Sequence, residues 1–123
     1  MTLSIGNVTF DCENPAQLAA FWSEALGHPV DDVNEEAQPF FASIGGTDPG
    51  FSPTWLFLKV PEGKTAKNRM HLDLVAEDPA AEIERLVAVG GTHVADKDEW
   101  GIQWSVMLDV EGNEFCIARA NQH

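Results

Sequence analysis

Tyrosine is missing from this chain, cysteine occurs twice, and only seven of the 123 residues are lysine or arginine. Without tyrosine, the aromatic surface rests on four tryptophans and seven phenylalanines. Two cysteines, Cys12 and Cys116, cannot build the cross-linked scaffold of a small secreted protein. The opening Met1-Thr2-Leu3-Ser4 has neither a basic region nor an apolar core, so reduced thiols and a cytoplasmic location are expected. Twenty acidic residues against seven basic ones leave a net charge of −13. That balance denies a nucleic acid the basic face it needs, and it disfavours an anionic membrane surface. No apolar run nears the roughly 20 residues of a membrane span. Neither nucleic acid nor membrane is therefore an expected partner. Also absent are a glycine-rich phosphate loop, H-E-x-x-H and paired CxxC motifs. The few basic residues are bunched: Lys59, Lys64, Lys67 and Arg69 fall close together, either facing an anionic ligand or forming a solvated loop.

What the chain does have is a duplication. Asn7-Val8-Thr9-Phe10 and His71-Leu72-Asp73-Leu74 are short alternating stretches. Each leads into an acidic-Asx-Pro-Ala turn, Glu13-Asn14-Pro15-Ala16 and Glu77-Asp78-Pro79-Ala80, and each turn opens a helical stretch. Asn14 and Asp78 read as N-caps, with proline at the first helical position, where its missing N–H costs nothing. Leu18, Phe21, Trp22, Ala25 and Leu26 recur at helical spacing up to Gly27. Ile83, Leu86 and Val87 do so before Gly90-Gly91. Strands are predicted at 5–11, 29–33, 40–44 and 54–60 in the first copy, and at 69–75, 92–95, 103–108 and 114–118 in the second. The connection runs from Pro61 to Asn68. The pattern is βαβββ written twice, an α+β fold. Module one spans about 1–62 and module two about 68–123 of a single domain. Two such modules predict a cup-shaped mixed sheet with helices outside and a ligand cleft between pseudo-symmetric halves.

Residues two apart in a strand share a face. His71 and Asp73 are such a pair, able to serve as general acid/base, metal ligand or hydrogen-bonded couple. Glu114 and Cys116 are another, able to add a carboxylate and a thiol. Asn7 occupies the position in module one that His71 occupies in module two. It offers hydrogen bonds but is a poor metal donor. Trp55, Phe57 and Trp104 lie on predicted strands, where they either line an apolar cavity or pack the core.

The stretches Asn14–Gly27, Lys64–Leu74 and Asp109–Cys116, set in the duplicated βαβββ plan, resemble the vicinal oxygen chelate superfamily of glyoxalase, bleomycin-resistance and dioxygenase proteins. Within it, the likeness is to the glyoxalase-like domain subgroup. That resemblance implies a homodimer binding a small organic molecule in the cup. It also implies lyase or isomerase chemistry that is metal-independent or uses a weak metal site. The alternatives are a non-catalytic protein sequestering an antibiotic or metabolite, and a metal-dependent lyase or dioxygenase. Metal-using members take ligands from the first and last strands of each module. His71 matches, Asn7 stands where histidine or glutamine is usual, and Cys116 stands where glutamate is usual. The strand at 54–60 has no Asp, Glu or His. At most two good donors are thus expected, no cofactor is expected, and any divalent metal would sit at an incomplete site on His71. The expected catalytic residues are His71, Asp73 and Glu114. The expected ligand-binding residues are Asn7, Trp55, Phe57, Trp104 and Cys116.

Overall fold

Local chemistry builds both helices as expected. The computed structural model describes residues 2–120. After β1 (Asn7–Cys12), the Asn14 side chain accepts from the Gln17 N–H at 3.1 Å and caps α1 (Pro15–Leu26). Gly27 then takes φ +65°, the left-handed conformation that ends a helix at least cost, and its N–H bonds to the Ser23 carbonyl. In the second half, after β4 (Leu72–Ala76), Asp78 caps α2 (Pro79–Ala88) by accepting from the Ala81 N–H at 3.2 Å.

The chain divides into two compact units between Gly63 and Lys64. In the first, β2 (Phe41–Ile44) and β3 (Thr54–Lys59) join β1 in a mixed sheet of order β1-β3-β2, with β1 parallel to β3. The helix-facing side carries the core. The Phe10 ring lies 5.7 Å from Trp22, 5.7 Å from Trp55 and 5.3 Å from Phe57. Leu18, Trp22, Ile44 and Phe57 are completely buried.

The second unit adds β5 (Thr92–Glu99), β6 (Ile102–Leu108) and β7 (Glu114–Arg119) to β4, in the order β4-β7-β6-β5. Its core is thinner: Leu86 of α2, Met107 of β6, and Phe115 and Ile117 of β7 are its large buried apolar residues. Between β6 and β7, buried Asp109 organises the turn. Its Oδ1 accepts from the N–H groups of Glu111 and Asn113, at 2.9 and 3.0 Å, and both oxygens accept from Asn113 Nδ2.

Three predicted strands depart from expectation by three residues or more at one end, or are lost. The strand predicted at 29–33 is a single bridge, Val30 to Ile44. Asp31 turns inward there, and its carboxylate accepts from Ser43 Oγ and the Gly46 N–H, each at 2.7 Å. The acidic run that follows offers no apolar alternation to extend a ladder. β4 begins at Leu72, opposite Phe115, because its partner β7 begins at Glu114. His71 therefore stands just before the strand. Conversely β5 runs to Glu99, four residues past its predicted end, because it pairs with β6 as far as Glu99–Ile102. Trp100 (φ +54°) and Gly101 (φ +78°) close that hairpin, the two positive φ values of a tight type I′ turn.

Candidate functional site

The face of the second sheet turned away from α2 gathers the polar residues that the alternation singles out. The register pairs Leu72 with Phe115, Asp73 with Cys116 and Leu74 with Ile117. Leu72, Leu74, Phe115 and Ile117 face the helix, so Asp73 and Cys116 stand side by side on the open face. His71 Nδ1 is 3.1 Å from Asp73 Oδ1. Ligand atoms of His71, Asp73 and Cys116 all lie within 4.8 Å of one another. Three donors thus converge where no more than two were expected. Sequence spacing missed this because the Asp73–Cys116 neighbourhood depends on the pairing of β4 with β7.

The electrostatics of the cluster define what it can do. Burial pushes the Cys116 thiol pKa up, and the adjacent Asp73 carboxylate raises it further by charge and hydrogen bonding. Lys67 opposes this only in part. Cys116 is therefore a neutral thiol near pH 7, not a poised nucleophile. With His71 Nδ1 turned toward Asp73, Nε2 is the ring nitrogen left for a ligand.

Glu114 shares this face but is already occupied. It lies 3.0 Å from Lys64 Nζ and accepts the Asn68 N–H at 2.6 Å, fastening the segment 64–68 to β7. Lys64 also donates to the Ala66 carbonyl. Burial raises the Glu114 pKa, but the bonds from Asn68 and Lys64 and the lysine charge outweigh it, so the net shift is downward. A depressed carboxylate pKa stabilises the fold above the unfolded value, and that contribution disappears as pH falls through the lower folded value. Glu114→Gln is expected to cost about 1 kcal/mol at pH 7, since the pair is partly screened. In urea melts the gap from the parent should close on acidification below pH 4. A gap that persists there would show that the carboxylate charge is not what holds the segment.

The other expected residues separate. Trp104 shares the open face by register, since it alternates with Val106, which pairs with Cys116. Asn7 opens β1, exposed on the face of the first sheet turned away from α1. Trp55 and Phe57, expected to line a ligand site, are a correction. Trp55 is 7 % exposed and Phe57 fully buried, both stacked on Phe10 on the helix side. The open face of β3 instead presents Leu56 and Leu58. Strand alternation alone could not say which face met the helix.

The glyoxalase-like domain family matches residues 7–118. The chain belongs to this family. Its α+β fold is shared by solved structures of low sequence identity. A glyoxalase/bleomycin resistance protein/dioxygenase family enzyme from Burkholderia phytofirmans aligns over 93% of this chain and 96% of its own, with a TM-score of 0.70 at 18% identity. A variant of the fosfomycin resistance protein FosX from Listeria monocytogenes, complexed with Mn(II) and 1S,2S-dihydroxypropylphosphonic acid, reaches 0.74 at 11% identity, covering 96% and 90%. TioX from Micromonospora sp. gives 0.63 at 18% identity, covering 94% and 98%. No curated protein shows a significant match in sequence. For this glyoxalase-like chain, the residues that sequence reasoning missed are the partners rather than the donors: Lys64 and Asn68 on Glu114, and Lys67 beside Cys116. The bunching of basic residues at 59–69 was the available signal.

Proposed function

We propose that this glyoxalase-like chain binds a small organic molecule at the open face of its second sheet. The observation that carries this reading is the convergence of His71, Asp73 and Cys116 within 4.8 Å of one another. An imidazole with a free Nε2 and a carboxylate behind it can anchor a polar ligand or exchange a proton with it. Any lyase or isomerase step would therefore move its proton at His71. Family likeness adds the expectation of a homodimer, which sedimentation velocity tests directly. His71 is exposed, so His71→Ala should leave the fold intact and weaken a ligand found by thermal-shift screening at least roughly tenfold, about 1.4 kcal/mol. Unchanged affinity would remove His71 from the site. A ligand recovered chemically unaltered after prolonged incubation would leave the sequestering alternative in place.

The three-donor geometry also favours a second reading, a metal-dependent enzyme. A nitrogen, an oxygen and a sulfur donor suit zinc better than a hard ion such as Mn(II). His71, Asp73 and Cys116 would hold such an ion, and it would supply Lewis-acid activation at a fourth, open position. Because the Cys116 thiol is raised, zinc must displace its proton, so affinity should fall steeply with acidification. Cobalt(II) titration separates the readings. A stoichiometric thiolate charge-transfer band, abolished in Cys116→Ser, supports the metal enzyme. Ligand binding that survives exhaustive chelation supports the first reading.

A further inference from the structure

The α2 side of the second sheet holds a cavity that the site above does not use. Helix α2 has ten residues, a length of about 15 Å. It backs β4, β7 and part of β5, while the long β5–β6 hairpin runs past it. Between the first turns of the helix and the sheet lies an open cavity of about 710 Å³, within the range of small-molecule sites. It faces away from His71, Asp73 and Cys116, on the other side of the same sheet.

Its chemistry is that of an apolar trough with a negative edge. Pro79, Ala80 and Ile83 of α2 line one wall. On the sheet wall, the bulge after His93 brings His93 and Asp96 to the same side. Asp96 accepts from His93 Nε2 and from Ser105 Oγ, each at 2.7 Å. The Ser105 bond and then the His93 bond lower its pKa, so it is charged at neutral pH. Asp98 adds a second carboxylate and Glu84 a third from the helix. Opposing cations are few. Arg119 donates to the Glu77 carbonyl at 3.0 Å, and Lys97 is the other lining cation, against the four lining carboxylates Asp78, Glu84, Asp96 and Asp98.

We propose that this cavity binds a small organic ammonium ion, its apolar body against Pro79, Ala80 and Ile83 and its charge toward Glu84 and Asp98. A cation is selected because the edge is negative and the whole chain carries −13, a field that concentrates positive ligands. An apolar body is selected because Pro79, Ala80 and Ile83 on the helix wall carry no polar side-chain atom.

The test is titration of the full chain with 2-phenylethylammonium, followed by amide ¹H–¹⁵N shifts. Saturable shifts at Ala80, Ile83, Asp98 and Ser105 support the site. So does roughly fivefold weakening in the Glu84→Gln/Asp98→Asn double variant, or in high salt, as screened charge pairs require. The neutral analogue 2-phenylethanol should bind at least tenfold more weakly. Ala80→Trp, at an exposed helix position, should block binding while preserving the circular dichroism spectrum. His71→Ala should leave this binding unchanged, which separates the cavity from the open-face site. Shifts confined to the open face, equal binding of the alcohol, or no saturation at millimolar ammonium would each overturn the proposal.

Discussion

Trp22→Ala is expected to destabilise the chain by about 3–5 kcal/mol, the usual range for removing a buried aromatic ring. Trp22 is completely buried, with Trp55 at 5.2 Å, Phe21 at 5.5 Å and Phe10 at 5.7 Å between ring centroids. Helix α1 meets the first sheet through this ring, so no neighbour can close the space without moving the helix. Guanidinium unfolding followed by far-ultraviolet circular dichroism should show a lower midpoint at unchanged slope. Trp100→Ala is the control: that ring is 87% exposed at a hairpin tip, and its loss should change stability little. Comparable losses from both variants would contradict the core described for the first unit.

The second large effect is expected from Asp109→Ala, at about 2–4 kcal/mol. Asp109 is 3 % exposed and accepts from two backbone N–H groups and the Asn113 amide. Alanine would leave those half-buried donors without their acceptor, and a donor orphaned away from water costs more than a typical hydrogen bond contributes. Asp109→Asn should fall between, because its amide oxygen can still accept while its NH₂ opposes that of Asn113. Hydrogen exchange at Glu111 and Asn113 should accelerate in both variants before global unfolding does. A loss below about 0.5 kcal/mol would mean that solvent substitutes freely in the turn.

The two large effects differ in how far the sequence foretold them. Trp22 could be placed in a core from its helical spacing with Leu18, Phe21 and Leu26. Asp109 could be placed only in a turn, because its burial depends on how β6 and β7 converge. The same contrast runs through the candidate site. His71 and Asp73 could be set on one strand face from their spacing. The addition of Cys116 required the parallel pairing of β4 with β7, a contact between segments about forty residues apart. Trp55 and Phe57 show the opposite case, since alternation put them on one face of a strand and only α1 determined that this face was the core.

Determined by the sequence alone were the features that short-range chemistry controls. These are two helices started by Asn14-Pro15 and Asp78-Pro79, the duplication that repeats them, the family likeness, and an acidity that disfavours nucleic acid. Tertiary structure decided the rest. The first copy's second strand shrank to one bridge at Val30, β5 ran out to the Trp100-Gly101 turn, and Glu114 went to Lys64 and Asn68. The physical reason is one of range. Caps and turns are satisfied within about four residues of chain, whereas ladder pairing, burial and ion pairs depend on which distant segment arrives alongside.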